Sequence, residues 1–172
     1  MAFVDLLPLI FILIALIGAG VEMNKRKRKI SASQRIEILL SWIFLVIIGF
    51  GGIWAFIGHT FFADQVANSI GWPTGNPFQQ EVALANLAIG VLGLISFRVT
   101  GSFRIATIIA YSIFIFGAGV GHIWQIISAG NMAVNNAGPI LWIDLLLPPL
   151  IILLYLLNKH LEHKEANPSL KR

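Results

Sequence analysis

The sequence predicts an all-α integral membrane protein: a helical bundle of five transmembrane helices with its N-terminus outside and its C-terminus in the cytoplasm. Three observations carry that expectation. Of 172 residues, 57% are hydrophobic and only 12% are charged, with a mean hydropathy of +0.82, whereas a soluble domain carries about 25% charged residues. The apolar residues are gathered into runs long enough to cross a hydrocarbon core of about 30 Å. The 12 Lys and Arg residues fall only within residues 25–35, residues 98–104 and the C-terminal tail, and the positive-inside rule makes those three segments cytoplasmic.

Each element follows in turn. The first helix, about residues 3–22, is apolar from Leu6 to Val21, with Pro8 in its first turns, where a missing amide hydrogen does little harm. Its basic residues, Lys25 to Lys29, follow the apolar run, the reverse of a cleaved signal peptide. Ser31 and Gln34 fit a capping box opening a second helix, about residues 33–62. That helix outspans the hydrocarbon core, so its inner end protrudes or it tilts. Residues 63–76 read as an outer loop. Asn76 then suits an N-cap, Pro77 the first helical position and Gln79 the capping-box partner of a third helix, about 77–97. The fourth helix covers about 105–128. An outer loop over 129–138 leads to the fifth, about 139–158, which Pro148 and Pro149 are expected to break beside Asp144. Residues 1–158 form one transmembrane domain and 159–172 a charged cytoplasmic tail.

Trp54, Trp72, Trp124 and Trp142 fall near the outer interface, as an aromatic belt requires, and Trp42 toward the inner one. Paired small residues (Gly51 with Ala55, Gly90 with Gly93, Gly117 with Gly121) mark faces where helices or a second copy of the chain can approach closely. The implied partners are therefore the lipid bilayer and a homo-oligomer, and no nucleic acid, since the cations behind the net charge of +4 lie where helices leave the membrane. Zero cysteines exclude disulfides, thiolate metal sites and a cysteine nucleophile.

Within the spans, ionisable groups are costly and mark functional candidates. His59, Glu81, His122 and Asp144 fall at one depth in the outer leaflet, on four different helices. Ala118, His122 and Gln125 share a helical face, as do Asn86, Gly90 and Gly93. Segments IGFGGIWAFIGH and IFIFGAGVGHIW, each followed by a loop, a proline and a carboxylate, read as a weak parallel repeat. Three chemistries fit an outer polar pocket. His59, His122, Glu81 and Asp144 could ligate a divalent metal such as Zn or Fe; a His beside a carboxylate could relay protons; or the groups could bind one another and lock the bundle. Two facing imidazoles also suffice for a non-covalent haem.

The stretch IGWPTGNPFQQEVALANLAIGVLGL, with GHIWQ and NNAGPILWIDLLLP downstream, resembles a family of small, functionally uncharacterised prokaryotic integral membrane proteins, over about residues 50–155. The resemblance implies a helical membrane bundle and no established activity, and it emphasises Trp72, Pro73, Pro77, Phe78, Gln79, Glu81, Asn86, His122, Gln125 and Asp144. The expectation is thus a multi-pass protein of the cell (inner) membrane whose outer pocket binds a small ligand or metal, with Trp72, Glu81, Asn86, His122, Gln125 and Asp144 as ligand contacts. A membrane oxidoreductase or proton-coupled carrier, and a non-catalytic subunit of a membrane complex, are the alternatives, so whether it is an enzyme stays open.

Overall fold

A computed structural model describes residues 6–26 and 30–167. The helical turn expected from residue 3, the centre of the basic cluster (Lys27, Arg28, Lys29) and residues 168–172 of the tail lie outside the described residues. Helix α1 (Leu7–Lys25) leads to a rod made of α2 (Ala32–Trp42), a π-helical stretch (Ile43–Phe50) and α3 (Gly51–Phe61). Short α4 (Ala63–Ile70) precedes α5 (Phe78–Ser96); α6 (Ser102–Ala129), short α7 (Val134–Ala137) and α8 (Pro139–Ala166) complete the chain. Five of these segments are long and apolar enough to cross a membrane, the rod alone having 30 residues.

Local chemistry accounts for several boundaries. The capping box at Ser31 forms as expected, its side chain accepting from the Gln34 amide and the Gln34 side chain accepting from the Ser31 amide. Asn76 Oδ1 accepts from the Phe78 amide, and α5 starts there, but Gln79 does not complete a capping box. Its side chain is buried and turned to His59 instead. Both loops expected to lie outside hold helix that the sequence reading missed: α4 buries Ala67 and Ile70 against the bundle, and α7 buries Asn136. Pro148 and Pro149 do not break α8, which runs unbroken through both and on to Ala166. Losing two amide donors in one turn is tolerated where neighbouring helices pack the segment.

The four spans other than α1 close around Leu40, Ile43, Phe44, Ile48, Ile89, Ile108, Tyr111, Leu147 and Ile151. In a bilayer the lipid is as apolar as this core, so close packing rather than water exclusion holds the helices together. The tightest crossing joins the rod to α5. A Cβ on Gly52 would lie 2.7 Å from Gly90 Cα, and one on Gly93 would lie 2.6 Å from the Gly49 amide nitrogen. Gly90 and Gly93 therefore do what their spacing suggested. Gly117 and Gly121 do not, because among the described residues nothing lies within 4 Å of either position; on α6 the close approach is made by Gly119. Helix α1 packs chiefly on α2 and the π stretch, where Gly18 makes room for the Trp42 ring and Trp42 Nε1 donates to Glu22 Oε2 at 2.8 Å.

Every described Lys and Arg lies at one end of the bundle, where α2 and α6 begin and α5 and α8 finish. Buried Arg104 ties that end together. Its Nε donates to the Ser96 carbonyl (2.8 Å), Nη1 to Glu37 (2.5 Å) and Nη2 to Ser41 (3.0 Å), with the guanidinium over the Phe44 ring. Asn158 Nδ2 links Glu37 to Glu162. Glu165, in the part of the chain expected to be a tail, accepts from Ser31 and Ser33 at the N-terminus of α2, where the helix dipole favours an anion.

Candidate functional site

The candidate site lies at the opposite end, between α6 and α8. Gly119 creates it: the missing side chain lets α8 approach until a Cβ there would meet Leu145 at 2.9 Å and Asp144 at 3.1 Å. One turn further along α6, His122 is buried, and its Nε2 lies 3.6 Å from Asp144 Oδ2, with both side chains nearly enclosed. The other ring nitrogen, Nδ1, is 2.7 Å from Asn136 Oδ1.

The orientation of Asn136 fixes the histidine. Asn136 is fully buried, and its Nδ2 donates to the carbonyls of Asn131 (2.8 Å) and His122 (3.4 Å). Those carbonyls only accept, so Oδ1 must face the ring, and Nδ1 must carry the proton it donates. A neutral His122 then presents a bare lone pair at Nε2 to a carboxylate, which is also an acceptor when ionised. The two acceptors are matched only when the pair holds one additional proton, as imidazolium with carboxylate or as imidazole with carboxylic acid. His122 Nε2 and Asp144 Oδ2 thus face each other as two acceptors 3.6 Å apart, an arrangement that one added proton would match.

The surrounding loops are bonded to the same scaffold. Gln125 Oε1 accepts from Trp72 Nε1 (3.1 Å) and from Asn131 Nδ2 (2.9 Å), while Asn131 also donates to the Ile70 carbonyl and accepts from the Ala133 amide. Asn135 donates to Ser69. The loop carrying Trp72 is therefore fastened over the end of α6. Gly71, at φ 79°, is in the left-handed region, and a side chain there would run into Asn131.

Of the residues singled out in the sequence, the structure joins His122 to Asp144 and Trp72 to Gln125. His59 is paired separately, its Nδ1 donating to Gln79 Oε1, and Gln79 Nε2 is buried without a partner among the described residues. Each hairpin of the suggested repeat thus pairs its histidine with a residue early in the returning helix. Glu81 is exposed. Asn86 is buried on the glycine face, donating to the Val82 carbonyl of its own helix. Among the described residues no three His, Asp or Glu side chains converge to hold a metal ion. Both ring nitrogens of His122 face protein groups, leaving neither directed at a haem iron. Sequence reasoning passed over Asn136 as a loop residue; its one signal was a run of amides two residues before a glycine and a proline. It also passed over the cluster of Arg104, Glu37 and Asn158, placing Arg104 in a short inner loop and Asn158 at the end of the fifth helix.

Fold and site together define a multi-pass helical membrane protein, by helix length and composition, with an imidazole and a carboxylate paired between two of its spans. The chain belongs to DUF6790, a family of unknown function whose model matches residues 5–164. No curated protein and no solved structure matches it.

Proposed function

We propose that the chain is a multi-pass protein of a prokaryotic cell membrane, N-terminus outside and C-terminus in the cytoplasm, whose outer half exchanges a proton at His122 and Asp144 as it binds a small polar ligand. This is the activity of a proton-coupled carrier or binding subunit. The orientation follows from the basic residues gathered at one end of the bundle. One observation carries the functional reading: with Nδ1 of His122 committed to Asn136, the pair requires one extra proton, in a protein region where an unmatched charge costs several kcal/mol. A ligand that offers a donor to Asp144, or a cation, substitutes for that proton, which couples its binding to proton release. Gln79 Nε2 supplies an open donor at the same end of the bundle. A metal ion is a poorer fit to two side chains, since catalytic zinc sites use three protein ligands.

The test is proton stoichiometry. Purified protein in detergent, acidified from a pH at which the pair is empty, is expected to take up one more proton than Asp144→Asn, because the substituted amide can donate to Nε2 and satisfy the neutral ring. Equal uptake by the two proteins would sink the proposal. A metal bound one per chain and lost in both Asp144→Asn and His122→Gln would replace the proton with a metal at the same site.

A further inference from the structure

Two cavities at the basic end share one wall. The first, about 270 Å³, is lined by Glu37, Thr100, Arg104, Lys159 and Glu162 together with Tyr155. The second, about 310 Å³, lies between α6 and α8 and is lined by Ile105, Ile108, Ile109, Ile152 and Leu156, again with Tyr155. Each is near the lower end of small-molecule sites, about 300 Å³. Their chemistry differs completely, one carrying two cations and two anions, the other apolar. Ile105, Ile109, Ile152 and Leu156 are all exposed on the outside of the bundle, so the apolar groove opens to the acyl region. The charged cavity lies where α6 begins and α8 passes out of its apolar run.

We infer that this cleft is a binding site for one phospholipid with an ethanolamine headgroup, the headgroup in the charged cavity and an acyl chain in the α6–α8 groove. Charge complementarity selects the headgroup. Arg104 and Lys159 balance Glu37 and Glu162, so a net anionic headgroup gains no excess of cations. A zwitterion with a hydrogen-bonding ammonium uses both signs. Its phosphate fits the wall formed by Thr100 and the N-terminal end of α6, whose dipole favours anions, beside Lys159. Three of the five N–H groups of Arg104 are committed within the protein, leaving donors for the same phosphate. The ammonium is directed to the glutamates. These are bridged by Asn158 Nδ2, Glu162 Oε2 also accepts from Lys159 Nζ at 2.7 Å, an exposed pair that a headgroup can join, and Asn158 Oδ1 stays buried without a partner among the described residues. Lys159 lies 5.7 Å above the Tyr155 ring, at the junction of the two cavities. The site is independent of His122 and Asp144; only its assignment to the inner leaflet rests on the proposed orientation.

The experiment is native mass spectrometry of the full chain in mild detergent after exchange with vesicles of phosphatidylethanolamine, phosphatidylcholine or phosphatidylglycerol. One phosphatidylethanolamine per chain is expected to survive, at about tenfold higher retention than either other lipid, the worth of one charge-assisted hydrogen bond. Glu162→Gln, which takes a carboxylate away from the ammonium, is expected to remove that preference, and Leu156→Trp, which fills the groove, to lower phosphatidylethanolamine retention. Ile113→Trp, on the exposed face of α6 outside the groove, is expected to keep it and controls for the added bulk. Equal retention of the three lipids, or unchanged phosphatidylethanolamine retention in Leu156→Trp, would overturn the inference. So would displacement of the lipid by excess inorganic phosphate with equal phosphate binding to Leu156→Trp, which would make the charged cavity a free-phosphate site.

Discussion

Gly52→Ala tests the packing that positions every other element. The added Cβ would stand 2.7 Å from Gly90 Cα and 2.8 Å from the Asn86 carbonyl oxygen, whereas carbon atoms in contact sit about 3.5–4.0 Å apart. Both obstacles are backbone, so no side chain can rotate away, and the rod and α5 must separate by about 1 Å. Overpacking of this kind costs about 1–3 kcal/mol. Alanine's better helix propensity returns up to about 1 kcal/mol, leaving a net loss of up to about 2 kcal/mol when that return is full. Gly117→Ala is the matched control, because among the described residues nothing lies within 4 Å of that position; only the propensity gain remains, and the change is expected to be neutral or stabilising. Unfolding of the purified proteins by SDS in mixed micelles, followed by tryptophan fluorescence, reads both. A Gly52→Ala protein as stable as wild type, or two variants shifted by the same amount, would refute the backbone contact between the rod and α5.

Other consequences follow from the same geometry. Arg104→Ala removes a buried cation with three hydrogen-bond partners and is expected to destabilise the bundle by about 3 kcal/mol in the same assay. That is the low end for a broken buried pair, because the Glu37 side chain is 36% exposed and can be rehydrated. Asn136→Ala deletes the acceptor for His122 and two bonds to backbone carbonyls; a loss of about 2–3 kcal/mol is expected, with faster hydrogen exchange of the α7 amides. For orientation, the cysteine-free chain allows single labels. Thr74→Cys is expected to react with an impermeant maleimide in intact cells, and Ser102→Cys only after permeabilisation; the reverse pattern would invert the proposed topology.

The helices were legible in the sequence because in a membrane length, apolarity and charge placement are the dominant constraints, and each leaves a mark on the one-dimensional pattern. The capping box at Ser31 and the close approach at Gly90 and Gly93 were legible for the same reason, being local motifs. Tertiary satisfaction of polar groups was not. Gln79 has the spacing of a capping residue, yet it is buried against His59, a partner twenty residues away. The prolines at 148 and 149 look like a break, but the helices packed around α8 keep it continuous. Four ionisable residues at one depth suggested a shared pocket. Depth alone does not set the azimuth of each side chain, and rotation of α5 leaves Glu81 exposed while Gly119 draws Asp144 to His122. Arg104 counted as an interfacial charge in the sequence; its burial depends on three elements meeting, which no local window contains.

The protonation of His122 itself is the decisive quantity. The chain has four histidines, and with His59, His160 and His163 replaced by glutamine, nitrogen-15 NMR of labelled histidine reports on His122 alone. The geometry requires Nδ1 to stay protonated across the neutral range. Nε2 and Asp144 are expected to share the one added proton, and Asp144→Asn is expected to hold the ring neutral with its proton on Nδ1. A ring carrying its proton on Nε2 alone would contradict the one-proton site.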